Sequence, residues 1–326
     1  MTAPRGREDL QRIADAAGFR IEMVETVARL LDVLSHIAAN PFLRDRVALK
    51  GGTAINLFEL AAPRLSVDID LNHIGSPDRA VAEAEWPDIH RDLAAACGAA
   101  GVRSTGSART AAALWSFTGR FFDGVGRRQK LKVDLNHQHR VPLWPTRSRD
   151  SIPLHGLRAT GIPVVDVHEL CAGKLVALLD RGKPRDVFDA PRILELASVD
   201  PERVRKAVVV LSAGTRNLDL RGLTELRPRV RLSEMREQLR PVVHVDAATS
   251  DEAWDIYSER LLDECEQALT RLLPVRDDER EFLDRLLDHG EVHPEALFAP
   301  DDFRERVRHH PTVRFRAENV RRIRGL

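Results

Sequence analysis

Two carboxylates stand two residues apart in the run RLSVDIDLN, residues 64–72: Asp68 and Asp70. Around them Leu65, Val67, Ile69 and Leu71 alternate with polar residues, the period-two pattern of a half-buried strand. Every second side chain of a strand points the same way, which puts Ser66, Asp68, Asp70 and Asn72 on one face. Like charges on one face repel, so either the strand end is solvated or something positive sits between the acids. A third acid has the same setting. In LKVDLN, residues 131–136, Leu131, Val133 and Leu135 share one face, and Lys132, Asp134 and Asn136 share the other. If that strand lies beside the first, three carboxylates can hold one or two Mg²⁺ ions, which prefer hard oxygen ligands. A metal pair stabilises the attacking and leaving oxygens of a phosphoryl-type displacement.

A candidate anion site precedes the acids. Gly51-Gly52-Thr53 lies between a short apolar run, VALK (47–50), and a helix-like AINLFELAA (54–62) ended by Pro63. Glycines there let backbone N–H groups approach a phosphate, and a helix N-terminus favours negative charge. The Ser66 hydroxyl adds a hydrogen bond to such a phosphate. A GG turn or a DxD pair alone is common. The ordered set of strand, GGT, helix, RxSxDxD and Asp134 is far more specific.

With that set in order, KGGTAINLFEL followed by RLSVDIDL resembles the first motif of the nucleotidyltransferase superfamily with the DNA polymerase β-like fold. More narrowly it resembles the AbiEii/AbiGii toxin family, which includes the MenT toxins. That family's later motifs follow in order: the acid-bearing strand with Asp134, KxxAxxxR as Lys174, Ala177 and Arg181, and RDxxD as Arg185, Asp186 and Asp189. The last is followed by Ala190, where the family often has Leu or Ile. The resemblance spans about residues 50–190. It implies Asp68, Asp70, Asp134, Lys174, Asp186 and Asp189 as catalytic residues, with Mg²⁺ or Mn²⁺ on the first three. It implies Gly51, Gly52, Thr53, Arg64, Ser66, Lys174 and Arg181 as nucleotide-binding residues. The activity implied is that of a type IV-like toxin moving NMP from an NTP to RNA, with tRNA 3′ ends as acceptor and translation blocked. A cognate antitoxin encoded nearby is the implied partner. Two alternatives stay open: nucleotidylation of a small molecule or protein, including by an AMPylating antitoxin, and a catalytically inactive nucleotide- or RNA-binding module. The presence of all three carboxylates argues against the inactive module.

The elements that must position these residues read as follows. Apolar residues at helical spacing run over 21–39 and stop at Asn40-Pro41; 78–99 is helical, with a break at Pro87. WSFTGRFF (115–122) and LKVDLN are strands joined by a hairpin turn at GVGRR (124–128). Asp166 caps a helix, with Glu169 three residues on, that runs to Arg181 and ends at Gly182 and Pro184. Amphipathic segments follow at 186–197, 201–213, 252–273 and 277–289. The expected class is α/β: a nucleotidyltransferase core of mixed sheet and flanking helices over 1–160, then a mostly α-helical domain over 161–326.

The bulk composition excludes little. Fifty Lys and Arg balance fifty Asp and Glu over 326 residues, so any basic patch must be local. Residues 216–240 hold seven Arg against four acids, and 304–326 hold eight against two with Phe315 among them, a mixture suited to RNA phosphates and stacking. The opposing reading is a tail that is solvated or pairs with the acidic stretch 251–288. Cys97, Cys171 and Cys265 are widely spaced core residues that form no CxxC pair, as expected of a reducing cytoplasm. The N-terminal MTAPRGREDLQRIADAAGF has no apolar core of a signal peptide. No apolar run reaches the roughly 20 residues of a membrane span. His137 and His139 read more readily as loop polarity than as metal ligands, and His309-His310 as solvated.

Overall fold

The computed structural model describes residues 6–325 apart from 105, 107, 108, 112, 216, 248, 249 and 299–301. Residues 1–5 of the N-terminal stretch and Leu326 of the basic end lie outside the described residues. The chain forms two compact units that interleave along the sequence. The first takes Met1–Arg140, Thr146–Val165 and Arg236–Trp254; the second takes Val141–Pro145, Asp166–Met235 and Asp255–Leu326. A single cut at 160/161 therefore differs from the observed division, because residues 236–254 return to the first unit.

The first unit is built on one eight-stranded mixed sheet. Its strands are β1 (Val47–Lys50), β2 (Asp68–His73), β3 (Arg103–Ser104), β4 (Arg109–Ala111), β5 (Leu114–Phe122), β6 (Arg128–Asn136), β7 (Arg147–Arg149) and β8 (Ile162–Val164). They lie in the order β3-β5-β6-β2-β1-β8-β7, with β4 also paired to β5. The centre follows the alternation read from the sequence. Leu49, Leu71, Leu135 and Trp115 form one cross-strand row, and Ile69, Val133 and Phe117 another. All seven are buried, and each stabilises the fold by roughly 1.5–3 kcal/mol relative to exposure. Helices Ile21–Ala39 and Arg79–Ala99 pack on this apolar face. The β5–β6 hairpin turns where GVGRR predicts it: Asp123 Oδ1 accepts hydrogen bonds from the backbone N–H of Val125 and Arg127.

Three local expectations fail for physical reasons. The acidic strand begins at Asp68, not Arg64. Residues just before it pair instead with a distant segment, through an Arg64–Val243 bridge and a 2.7 Å hydrogen bond from Leu65 N–H to the Val242 carbonyl. The helix expected from residue 54 begins at the glycine turn itself, with Gly51 and Gly52 opening the helix Gly51–Ala54, which continues as the π-type turn Ile55–Glu59. Pro87 does not break its helix. The missing N–H bond, which costs about 3 kcal/mol, is offset by burial of Ile89, Leu93, Ala96 and Cys97.

Behind the acidic strands lies a buried relay. Glu85 pairs with Arg46 at 2.9 Å and meets His73 Nε2 at 3.2 Å. His73 Nδ1 lies 3.3 Å from His137 Nδ1, and His137 Nε2 lies 3.0 Å from His90 Nε2. A carboxylate only accepts, so one tautomer set satisfies the chain. His73 donates through Nε2 to Glu85, His137 through Nδ1 to His73, and His90 through Nε2 to His137. Burial pushes His90 down to about 4 and His137 down to about 3, and also lowers His73; neighbouring imidazoles add to the first two shifts. His137 is thus a buried structural residue and not loop polarity.

The second unit is mostly helical: Val167–Arg181, Pro184–Leu194, Pro201–Ser212, the part of Asp251–Leu272 from Asp255 onward, Asp277–Asp284 with the π-type turn Arg285–His289, Asp302–His309 and Pro311–Arg324. Asp166 caps the first, accepting from His168 N–H at 3.0 Å, and Gly182 ends it in the left-handed region. Glu169 does not complete a capping box, because its buried carboxylate accepts from Leu143 N–H at 2.7 Å. His310 is fully buried against the Thr312 hydroxyl, contrary to the solvated role expected of it. All three cysteines are buried, and burial pushes the Cys97 and Cys265 thiols up to about 12.

Candidate active site

Strand register brings the three acids together in the first unit. β2 and β6 run parallel, with Asp70 opposite Asp134 and Asp68 opposite Lys132. The flanking strands extend these rows. Lys50, Asp70, Asp134 and Ser116 form one row across four strands, and Asp68, Lys132 and Thr118 form the next. Because laterally paired residues share a face, three carboxylates, two ammonium groups and two hydroxyls occupy the side opposite the buried rows. Lys132 Nζ donates to Asp134 Oδ2 at 2.6 Å, and Ser116 Oγ donates to Asp134 Oδ1 at 2.7 Å. Burial pulls the Lys132 ammonium toward deprotonation. The hydrogen bond to Asp134 and the charges of Asp134, Asp68 and Asp70 outweigh that and raise its pKa. Part of the cation that the paired acids call for is therefore supplied by the chain itself. Lys132 and Ser116 are additions that the sequence signals only by their place on polar strand faces.

The glycine turn is fitted to the acids. Gly51 has φ +71°, and a Cβ there would lie 2.5 Å from Asp70 Oδ2. Its missing side chain thus leaves the space that the carboxylate fills. Thr53 is fully buried and donates through Oγ1 to the Asp68 carbonyl at 2.5 Å. Asn56 Nδ2 donates to the Gly52 carbonyl at 3.0 Å. Ser66 is buried just upstream of β2. Arg64 is also buried, and its Nη1 donates to the Leu65 carbonyl at 3.0 Å. The structure thereby places the Arg64 side chain on backbone, beside the Val243 bridge.

Carboxylate oxygens from two adjacent strands, with Gly51 leaving the space that Asp70 fills and an ammonium seated against Asp134, are hard donors of the chemical kind that a divalent cation prefers. Among the described residues no group of three or more His, Cys, Asp or Glu is placed to hold a metal ion.

The second unit has its own charged cluster. Lys174 and Arg181, one helix face apart by seven residues, meet the acids of the next helix. Lys174 Nζ lies 2.7 Å from Asp186 Oδ1 and 3.0 Å from Asp189 Oδ2, and Arg181 Nε lies 3.5 Å from Asp186 Oδ2. Asp186 and Asp189 are both buried. These are not the ordinary surface bridges that their spacing also permits. Ala190 is fully buried beside them.

Many arginines of 216–240 are engaged inside the protein. In the second unit Arg221 meets Asp219, Asp284 and Asp288, and Arg227 meets Glu259, Asp263 and Glu266. In the first unit Arg236 and Arg240 meet Asp251. Near the C-terminus Arg308 meets Glu295 and Glu305, and Arg324 reaches Asp288. Arg314, Phe315, Arg321 and Arg322 are exposed on the last helix.

A mixed sheet with paired acids on adjacent strands, and a glycine packed against one of them, is the arrangement expected of a nucleotidyltransferase. The model of the AbiEii family, the nucleotidyl transferase toxins of type IV toxin–antitoxin systems, matches residues 32–285, and the chain belongs to that family. Family membership implies a nucleotide substrate and an antitoxin partner. Among solved structures the chain is similar to MenT4, a nucleotidyltransferase toxin from Mycobacterium tuberculosis H37Rv. The two share 18% identity over 95% of this chain and 98% of that one, with a TM-score of 0.55. At that identity the likeness shows the fold. A sequence search of curated proteins gives no match. Among the described residues no helix is long and apolar enough to cross a membrane.

Proposed function

We propose that this toxin acts in the cytoplasm as an Mg²⁺-dependent nucleotidyltransferase that adds NMP from an NTP to RNA, at tRNA 3′ ends, and so blocks translation. The observation that carries the metal and nucleotide chemistry is the cross-strand pairing of Asp70 with Asp134, with Asp68 on the same face. Asp68, Asp70 and Asp134 would hold the divalent ion, which when bound neutralises charge on the triphosphate and the leaving group. Asp134 would share the ion or act as base; Ser116 and Lys132 donate to its two oxygens. Backbone N–H groups at Gly51, Gly52 and Thr53 bind phosphate oxygens, with the Ser66 hydroxyl as a further donor. Arg64 acts at one remove, by fixing the segment that carries Ser66. In the second unit Lys174, oriented by Asp186 and Asp189 with Arg181 beside it, is a further candidate for a phosphate-binding ammonium. The acceptor hydroxyl, its proton passing to Asp134 or to water, attacks the α-phosphorus in line, the bond from that phosphorus to the oxygen bridging to the β-phosphate breaks, and pyrophosphate departs. The exposed Arg314, Phe315, Arg321 and Arg322 favour an RNA acceptor over a small molecule.

The test is incubation of the purified chain with total tRNA, Mg²⁺ and each labelled NTP in turn, followed by a denaturing gel. Label in the tRNA band, lost in Asp70→Asn, is the expected result. Label that appears on protein or on small molecules, with tRNA blank for all four NTPs, overturns the RNA acceptor.

A further inference from the structure

The acidic face carries a cation from its own strand. We infer that Lys132 is a built-in counter-ion: its ammonium holds the Asp134 carboxylate where a divalent ion would bind, so that loading of the site requires its displacement. The inference rests on the metal role proposed above and adds a residue to it.

Three observations support it. Lys132 Nζ is 2.6 Å from Asp134 Oδ2 while Ser116 engages Oδ1, so both oxygens of the third acid are occupied. Register sets Lys132 directly opposite Asp68 and one row from the Asp70–Asp134 pair, which places it in the field of all three carboxylates. The Lys132 side chain is also 48% exposed. A flexible four-carbon stem with one end in water can swing away at little cost, and a half-exposed ion pair binds weakly. Lys174 contrasts with it: held by two buried acids and only 9% exposed, it is fixed in place. Lys132 is therefore placed to keep the acids apart from one another's repulsion in the empty enzyme and to yield when a stronger cation arrives. Nucleotide phosphates add oxygen donors for that ion, so ion and nucleotide are expected to load together.

The experiment is a titration of the full chain with Mn²⁺ alone, read by the loss of the free-ion electron paramagnetic resonance signal. Lys132→Met should bind Mn²⁺ about tenfold more tightly than wild type, since one competing positive charge has left the site. Its melting temperature should fall without metal and recover with Mn²⁺ by more than wild type gains. Lys132→Gln, similar in length and polar, should behave the same way if the methionine variant folds poorly. Lys132→Arg, which keeps the charge, and Lys130→Met, at a position of the same strand that lies opposite Arg120 of β5, should stay near wild type. Mn²⁺ binding that is lost in Asp70→Asn yet unchanged in both neutral Lys132 variants overturns the counter-ion while leaving the metal site intact. Binding that neither Asp70→Asn nor the Lys132 variants alter overturns both.

Discussion

Gly51→Ala tests whether the glycine turn and the acidic strand are one device. Two costs follow from the structure. Alanine at φ +71° sits in the left-handed region, at about 1–2 kcal/mol. Its Cβ would also lie 2.5 Å from Asp70 Oδ2, 3.1 Å from Asp70 Cβ and 3.2 Å from Asp70 Cγ. Ordinary contact begins near 3.4 Å, so the carboxylate must retreat by roughly 0.9 Å, the difference between 3.4 and 2.5 Å. Overpacking of this kind costs about 1 kcal/mol or more. The sum is about 2–3 kcal/mol, or a melting temperature roughly 4–12 °C lower for a unit of this size. Activity should fall further than stability, by about a hundredfold, because a displacement near 1 Å at a reacting centre has that effect. Thermal unfolding and labelled-NTP incorporation measure the two. A cycle with Asp70→Ala separates them: without the carboxylate, Gly51→Ala should cost the left-handed backbone and the smaller 3.1 Å contact with the Cβ that remains. Near-wild-type incorporation in a folded Gly51→Ala protein, or equal cost in both backgrounds, would refute the coupling.

Other outcomes follow from the same structure. Lys174→Ala should leave Asp186 and Asp189 as buried acids short of a cation and destabilise the protein by about 3 kcal/mol; a chemical-denaturation midpoint equal to wild type would count against the cluster. Lys174→Arg should restore only part of the transfer activity, because a planar fork and a compact ammonium meet phosphate differently, and full restoration would remove Lys174 from nucleotide binding. Stability should fall as pH drops from about 6.5 toward 4. Unfolded imidazoles bind protons in that window, whereas folded His90 and His137 resist until about 4 and about 3; His90→Gln should flatten the slope in urea unfolding, and an unchanged slope would show that the relay does not set it. Replacing Arg314, Arg321 and Arg322 with Glu should weaken RNA binding and flatten its salt dependence while sparing NTP affinity; intact RNA affinity with a lower melting temperature would assign that helix a structural part alone.

The legible parts of this fold are those whose information is local. The alternation of LKVDLN and WSFTGRFF, with a glycine-bearing turn between, specifies a hairpin and both faces of its strands. The same alternation around Asp68 and Asp70 places the acids on one face, and the pairing of β2 with β6 needs only that the two polar faces match. Helix ends at Asn40, Asp166 and Gly182 follow from cap chemistry. What escapes a sequence reading depends on distant partners. The start of β2 at Asp68 is decided by Val242 and Val243. Strands of three residues, Arg147–Arg149 and Ile162–Val164, carry too few side chains to show a period. His73, His90 and His137 are apart in sequence, and only the packing of helix Arg79–Ala99 on the sheet joins them. Of the candidate site, the acids and the glycines were readable, whereas the internal cation Lys132 was visible only as a polar neighbour. The arginines of 216–240 looked available because their acidic partners, from Asp251 to Asp288, lie well downstream.

The interleaving of the two units has a consequence for how the chain is made. The sequence passes between units five times, at 140/141, 145/146, 165/166, 235/236 and 254/255. The acid-bearing sheet is spelled out by residue 164, yet the segment that tethers Leu65, just ahead of the strand with Asp68 and Asp70, is Val242–Val243. A ribosome adding roughly 5–20 residues per second therefore exposes Asp68, Asp70 and Asp134 for several seconds before their unit can close. During that interval the nascent toxin has its acids but not the backbone that orders them. Truncation has the same logic: a fragment ending before residue 236 contains every catalytic candidate and still lacks part of the unit that holds them.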